Sequence, residues 1–370
     1  MTIWPEKKLG FGLMRLPKDA NGEIDIKEFS RMADTFLEDG FTYFDTAYIY
    51  GGSEVAFKKA VVDRHPRESY TVASKMAAWI FTPDLGPAQM FQESLDRCGI
   101  DYFDYYLLHS LQESHGTIYD DNGCWTFAEQ MKKEGKIRFL GFSFHGSPAL
   151  LEKLLTEHPD VDFVQLQINY ADWDNEIIAS GKNYEICRKY NKDIVVMEPV
   201  KGGLLANIKP EARLCLDECD PNASSASYAL RFAASLPGVK VVLSGMSNFE
   251  QMADNAAVFK DFKPLDEKEQ AAVKAAQEII LNAPTVPCTS CRYCVEGCPM
   301  SIRIPDVFKR YNMLITFGEH FRPHGLYKDL IAAGSGRAGD CIRCGKCEAA
   351  CPQHISIIEN LAKASEKLDV

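Results

Sequence analysis

Eight of the thirteen cysteines lie in two runs of identical layout, and nothing else in the 370 residues restricts the fold as sharply. The runs are CTSCRYCVEGCP at 288–299 and CIRCGKCEAACP at 341–352, and both read C-x2-C-x2-C-x3-C-P. Three thiolates spaced by two residues wrap one face of a metal–sulfur cube, and the three residues that follow carry the fourth sulfur away towards a neighbouring cube. The competing uses of such cysteines are tetrahedral zinc and redox-active C-x-x-C pairs. Zinc ribbons supply two C-x2-C knuckles, without a third cysteine two residues on and without the proline. Thirteen cysteines would also be unusual in a secreted disulfide scaffold of this length. The pattern therefore predicts two 4Fe-4S clusters.

The run resembles that of the bacterial two-cluster ferredoxins, in which the fourth cysteine of each run serves the other cluster. On that resemblance Cys288, Cys291, Cys294 and Cys351 hold one cluster, and Cys341, Cys344, Cys347 and Cys298 hold the second. The 42 residues between Cys298 and Cys341 exceed the short link of a minimal ferredoxin. Within them 305–317 (PDVFKRYNMLITF) has apolar residues at 307, 308, 311, 314 and 315, a helical spacing. This part of the chain resembles the α-helical ferredoxins. Cys98 and Cys187 fall on helical patterns as small core residues, Cys215 and Cys219 lie near a loop, and Cys124 stands alone.

Charge is uneven. The chain carries a net −11, whereas residues 288–370 hold 11 Lys+Arg against 9 Asp+Glu. An acidic body of this kind repels phosphate backbones, so no nucleic-acid partner is expected. No run of eighteen apolar residues points to a membrane span, and the N-terminus lacks the layout of a secretory signal. A cytoplasmic protein is the expectation. Two fully thiolate-ligated clusters at about −2 each would turn the tail's net +2 to about −2.

Ahead of the cysteines, short β-branched and aromatic runs alternate with amphipathic stretches. Strands are expected at 9–13, 42–47, 70–75, 102–109, 138–143, 163–170, 194–199 and 239–245. Helices are expected at 26–38, 54–63, 88–98, 148–157 and 223–236. Eight strand–helix units over about 250 residues predict an α/β fold, a (β/α)8 TIM barrel, rather than an open doubly wound sheet. No G-x-G-x-x-G follows an early strand, so the dinucleotide fingerprint of open sheets is missing. Asp266 and Glu269 form a capping box that opens a last helix running through Leu281. The Pro284–Pro287 stretch then supplies a stiff linker. The expected domains are 1–282, the barrel, and 283–370, a small and largely helical ferredoxin-like domain.

Catalytic groups of such barrels sit at the C-terminal strand ends. Asp45 in YFDTA, Tyr50 five residues on, Lys75 in YTVASK and His109 in YYLLH occupy successive ends. Singly each has a bland use, as a helix cap, loop packing, a solvated strand end or a satisfied rim histidine. Converging on one face, they read as a site.

The segments FDTAYIYGGSE, ASK, YYLLH, GFSFHG, VQLQINY and SGMSNFEQMADNA, in order over about the first 280 residues, resemble the aldo/keto reductases. The cysteine tail resembles that of the family's ferredoxin-domain subgroup. The resemblance implies a nicotinamide-dependent reductase acting on a small-molecule carbonyl, or on the alcohol in reverse. Tyr50 would protonate the alkoxide left by hydride delivery. Lys75 would lower the phenol's pKa, Asp45 would hold Lys75 charged, and His109 would hydrogen-bond the substrate oxygen.

The resemblance also places cofactor residues. Ser143 and Gln165 would hold the carboxamide, with Asn169 nearby. Met197 stands where the family usually stacks an aromatic ring on the nicotinamide. Pro199, Val200 and Gly202 would border the pyrophosphate, and Asn255 the adenine. Gly245 and Gln251 occupy positions where Lys and Arg usually meet the 2′-phosphate, which leaves NADH against NADPH open. Trp79, Trp125 and Trp173 are either pocket walls or packing aromatics.

Three readings follow from this. The clusters serve docking, redox sensing or stability beside a nicotinamide-dependent reductase; or they feed the barrel one electron at a time from a redox partner protein; or the chain is a non-enzymatic carrier or sensor.

Overall fold

The computed structural model describes every residue except 1–3, 116, 177, 283, 287, 289–291 and 352–353, with the side chains of 114, 317, 320 and 321 also outside the description. Cys291 and Pro287 are thus outside the described residues. Eight parallel strands follow one another around a closed barrel. They are β1 (Leu9–Gly12), β2 (Tyr43–Asp45), β3 (Thr71–Met76), β4 (Phe103–Leu111), β5 (Ile137–Phe144), β6 (Phe163–Gln167), β7 (Asp193–Met197) and β8 (Val239–Gly245). β8 closes on β1 with Leu9 opposite Val242 and Gly12 opposite Gly245. The eight expected strands are all present.

Strand side chains alternate, and that parity builds the barrel. One set, including Phe11, Phe44, Val72, Tyr106, Phe142, Val164 and Val242, faces outward into the layer shared with the helices. The other set, Tyr43, Ala73, Tyr105, Leu107, Phe163, Val195, Val241 and Leu243, fills the interior. Each large side chain so removed from water contributes about 1.5–3 kcal/mol. Space inside is tight. A Cβ at Gly10 would stand 2.7 Å from both Leu243 and Val241, and one at Gly141 would stand 2.6 Å from the Phe163 carbonyl oxygen. Trp4 stacks on Tyr105 at 5.1 Å and meets Phe163 edge-on at 5.4 Å.

The helices form for local reasons visible in the sequence. Asp25 caps the helix Ile26–Glu38 by accepting from Glu28 N at 2.9 Å. Phe29, Met32, Ala33 and Phe36 give that helix one buried apolar stripe. Further on, Asp266 N donates to Glu269 Oε2 at 3.0 Å and Glu269 N donates to Asp266 Oδ1 at 2.8 Å. This reciprocal box opens the helix Glu267–Leu281. The expected helix at 54–63 is an α-helix only over Ser53–Phe57 and continues as a π-helical segment over Lys58–Val62; elsewhere the differences are at element ends. β2 stops at Asp45 and β6 at Gln167, each followed by a turn, while β4 runs two residues past His109 through an irregularity between Leu108 and Leu111. Ser110, at φ +56°, marks that irregularity.

The chain divides into two compact units, residues 1–202 with 222–270, and residues 203–221 with 271–370. Among the described residues from 284 onward there are helices and no strand. Their core packs Ile302, Val307, Phe308, Tyr327, Ile357, Leu361 and Leu368 around Cys294 and Cys347. The expected helix over 305–317 is observed as Ile304–Phe317.

This C-terminal region repeats itself at an interval of 53 residues. The short helix Tyr293–Glu296 corresponds to Lys346–Ala349, and the helix beginning at Ile304 corresponds to the one beginning at Ile357. Left-handed backbone recurs at the same offset, Arg292 (φ +69°) with Gly345 (φ +76°) and Ser301 (φ +53°) with His354 (φ +50°). Hydrogen bonds recur as well. Cys298 N donates to Val295 O at 3.2 Å, and Cys351 N donates to Glu348 O at 3.1 Å.

Candidate active site and candidate cluster sites

Parity carries the chemistry to one place. Two residues beyond inward-facing Tyr43 comes Asp45; beyond Ala73 comes Lys75; beyond Leu107 comes His109; beyond Phe163 comes Gln165. The polar groups thus occupy the inward positions that succeed the apolar ones at the C-terminal strand ends. Register sets β2 against β3 with Asp45 opposite Ala73, and β3 against β4 with Lys75 opposite Leu107.

Lys75 Nζ donates to the Asp45 carboxylate and, at 2.7 Å, to the Thr46 carbonyl. Gln165 Nε2 donates to the other Asp45 oxygen at 3.0 Å. Both charged side chains are almost fully buried. Burial works against the ammonium, yet the attraction of Asp45, with hydrogen bonds to Asp45 and Tyr50, outweighs it, and the Lys75 pKa is raised. Lys75 is therefore held as a cation.

Tyr50 lies in a turn fixed by Tyr50 N donating to Ala47 O at 3.0 Å and Ser53 N donating to Tyr50 O at 2.7 Å. Lys75 Nζ stands 4.9 Å from the centre of its ring. The sequence led to the expectation of a phenol pKa below its ordinary value. Burial instead pushes it up, and the pull of Lys75 downward, by charge and hydrogen bonding, only partly offsets this. Tyr50 keeps its proton at neutral pH.

His109 meets the Tyr50 ring nearly perpendicularly at 5.7 Å. Burial first, then the positive charge of Lys75, drives its pKa far down, so the imidazole is neutral. Its Nδ1 is buried with no hydrogen-bond partner. A polar atom left unpaired inside a protein is costly, and its cost is removed by a ligand that pairs with it.

Trp79 lies 5.3 Å from His109 and stacks on His115 at 4.6 Å. Of Trp79, Trp125 and Trp173, Trp79 alone meets His109. Trp125 stacks on His158 at 3.7 Å and packs on outward-facing Phe142, while Trp173 packs on Tyr184 and Phe232. His115 and His145 are additions that the sequence did not single out, since neither has a telling spacing. Positive charge on either would oppose the charging of His109.

The expected cofactor residues lie on the ends of β5 to β8 and in the segments after them. Ser143 Oγ accepts from Ser110 N at 2.6 Å, which leaves its hydroxyl proton to donate. Asn169 has its amide in internal use. Nδ2 donates to Asp172 at 2.9 Å and to the Glu198 carbonyl at 3.2 Å, and Oδ1 accepts from Asp172 N at 2.9 Å. Met197 ends β7 against the barrel interior, and Pro199 is buried with Val200 partly so. Lys201 pairs with Asp172 at 2.5 and 2.6 Å, next to Gly202. Gly245 is exposed at the end of β8; Gln251 Oε1 accepts from Ser247 N at 2.8 Å, and buried Asn255 donates to Ser244 Oγ at 2.8 Å. With the unpaired His109 nitrogen, these groups fit a nicotinamide and a carbonyl at the mouth.

In the C-terminal region a small hollow, open to solvent, is lined by Cys298, Cys341, Cys344 and Cys347, with Ile302, Ile304, Ile358 and Leu361 around them. One run supplies three of the thiols and the other run supplies the fourth. They ring the space, and among the described residues no three His, Cys, Asp or Glu side chains are grouped as around a single ion. This donor set fits a cluster. Cys288, Cys294 and Cys351 are described, whereas their expected companion Cys291 lies outside the described residues. Cys98 and Cys187 are buried, as expected of core residues, and so is Cys124.

Known proteins bear the same signatures. A family model described as the aldo/keto reductase family matches residues 8–278, and one described as a 4Fe-4S dicluster domain matches residues 287–356. An oxidoreductase of Bacillus subtilis with uncharacterised activity is 25% identical over 75% of this chain and 94% of its own length. The L-galactose dehydrogenase of Arabidopsis thaliana is 23% identical over 66% of this chain and 82% of its own. Among solved structures, the holo form of an aldo-keto reductase from Bacillus halodurans superposes with a TM-score of 0.57 at 24% identity, covering 73% of this chain and 91% of that one. An aldo-keto reductase from Klebsiella pneumoniae in complex with NADPH superposes with a TM-score of 0.59 at 19% identity, covering 72% and 89%. At these identities the structural likeness speaks for the fold. No helix among the described residues is long and apolar enough to cross a membrane.

Proposed function

The chain belongs to the aldo/keto reductase family and carries a 4Fe-4S dicluster domain, and from that premise we propose that its barrel reduces aldehydes or ketones with a reduced nicotinamide dinucleotide. The observation that carries this reading is the buried Asp45–Lys75 ion pair beneath Tyr50 and a neutral His109. A buried ion pair costs a great deal in desolvation, and a barrel without chemistry gains nothing by retaining one beside an unpaired imidazole nitrogen.

The nicotinamide, when bound, supplies a hydride to the carbonyl carbon. The rest falls to the chain. Neutral His109 would orient the carbonyl oxygen by hydrogen bonding, a reading that its lack of an internal partner at Nδ1 supports. Tyr50 gives its proton to the oxygen as negative charge develops there, and the Lys75 ammonium stabilises the phenolate left behind. Asp45 keeps Lys75 charged and aimed, and Gln165 fixes Asp45. Ser143, Gln165, Met197, Pro199, Val200, Gly202 and Asn255 would line the dinucleotide, with Asn169 shaping the loop after β6.

Beyond the barrel, Cys288, Cys291, Cys294 and Cys351 would hold one cluster and Cys341, Cys344, Cys347 and Cys298 a second. On the sequence reading the junction would follow residue 282, whereas the compact units divide after Gln270, with residues 203–221 grouped with the second. In this reading the clusters dock a partner, sense redox state or stabilise the chain, and turnover of the carbonyl does not pass through them.

Anaerobic assays of the cluster-loaded chain test the reading. Tyr50→Phe should lose reduction by about 10²–10⁴-fold while nucleotide binding survives. A folded Cys341→Ser variant should turn over at close to the normal rate. Near-normal turnover by Tyr50→Phe would sink the assignment. Loss of turnover in Cys341→Ser, with bleaching of the clusters by nicotinamide alone, would favour the ferredoxin-linked reading.

A further inference from the structure

The segments that follow β1, β7 and β8 meet at a residue with no assigned role, Arg15. Its Nη1 donates to the Gly202 carbonyl at 2.9 Å, and its Nη2 stands 3.5 Å from Glu198 Oε1. Ser247 Oγ holds the Arg15 carbonyl oxygen at 2.8 Å. The stem of the side chain lies over Gly245, where an added Cβ would stand 3.5 Å from Arg15 Cβ and 3.6 Å from its Cδ. Those are ordinary van der Waals distances, so the Arg15 stem packs directly along the backbone at 245.

These contacts are a weak resting place for a guanidinium. The carboxylate is at ion-pair distance but beyond hydrogen-bonding distance, both side chains are well exposed (45% and 35%), and the other partner is an uncharged carbonyl. Glu198 and Lys201, on either side of Pro199 and Val200, both hold positive φ, +55° and +48°, which residues other than glycine rarely adopt. The segment after β7 is therefore bent so that Glu198 and the Gly202 carbonyl both face the Arg15 head. On the reading above, residues 245 and 251 are where a cation for the adenosine 2′-phosphate is expected, and Gly245 and Gln251 carry none.

We propose that Arg15 binds the 2′-phosphate of NADPH, supplied from the segment after β1 in place of the cations missing after β8, and that Glu198 holds it until the phosphate displaces the carboxylate. A phosphate offers oxygens matched to the guanidinium fork, so two short charge-assisted hydrogen bonds replace one long ion pair and one neutral contact. The chain then prefers NADPH to NADH. Glu198 competes with the phosphate and sets the strength of the preference. This inference rests on the nicotinamide reading.

The test is direct binding, by titration of the cluster-loaded full chain with NADPH and with NADH, without substrate. The wild type should bind NADPH more tightly than NADH. Arg15→Ala should weaken NADPH by about tenfold or more and leave NADH within about twofold, which also shows that the site is folded. Arg15→Lys should retain part of the preference. Glu198→Gln should tighten NADPH and leave NADH unchanged. Added salt should weaken NADPH binding more in the wild type than in Arg15→Ala. Equal losses for both nucleotides in Arg15→Ala, or no loss for either, would overturn the proposal. A wild-type chain that binds neither nucleotide brings down the nicotinamide reading, and this inference with it.

Discussion

At the residue scale the site is a set of side chains whose protonation is fixed by burial and by one ion pair. Lys75 is held charged, Tyr50 holds its proton, and His109 is neutral. The pH dependence follows. Reduction needs the phenol protonated, so activity is present below the Tyr50 pKa and lost above it, and burial places that pKa above its ordinary value of about 10. His109 has a pKa well below its ordinary value, so it does not change charge across the neutral range. A profile of kcat/KM for reduction should be flat through about pH 6.5–8 and fall only on the alkaline side. A break near pH 7 in the reducing direction would contradict these assignments. Asp45, Tyr50, Lys75 and His109 were legible in the sequence because each stands at or just past a strand end. Arg15 and Glu198 were not, because what brings them together is three loops far apart in sequence, and neither belongs to a spacing pattern.

At the scale of elements, the barrel was readable because each strand is a short β-branched and aromatic run followed by an amphipathic helix. Its limits were less so. The sequence could not say where pairing stops at Asp45 or Gln167, since residues such as Thr46 and Ile168 suit a strand as well as they suit the turn they occupy. The 53-residue repeat of the C-terminal region was legible from the two cysteine runs; just beyond them buried Ile302 and Ile304 match Ile355 and Ile357, and farther on the two halves share backbone rather than side chains. One asymmetry within that repeat can be measured. Arg292 holds a left-handed conformation at the position equivalent to Gly345. Arg292 also pairs with Asp306 at 3.0 Å, with half of its side chain exposed, so that pair contributes little. Arg292→Gly should stabilise the loaded chain by up to about 1 kcal/mol, and Gly345→Ala should destabilise it by about 1 kcal/mol. Anaerobic denaturation curves check both. Equal and small effects would mean that the two backbones are not equivalent.

At the scale of the molecule, two chemistries share one chain: a barrel built to handle a hydride and a cysteine region built for single electrons. The proposed crossing of ligands between the runs would make each cluster depend on both of them. In the hollow this takes a definite form, Cys298 completing a set otherwise drawn from Cys341, Cys344 and Cys347. Cys298→Ser should therefore disturb the cluster of the second run and spare that of the first. Iron per chain should fall from about eight towards about four, with the remaining cluster keeping its spectrum. Loss confined to the first run's cluster would refute the crossing.

The central claim is that the barrel moves a hydride from nicotinamide to a carbonyl without help from the clusters. Reduction of a simple aromatic aldehyde by nicotinamide cofactor doubly deuterated at C4, with the product analysed by mass spectrometry, tests it most directly. One deuterium should appear on the carbinol carbon for the wild type and for Cys341→Ser, with almost no product from Tyr50→Phe. Alcohol formed without deuterium would mean that the electrons had reached the carbonyl by another route, and would contradict the account.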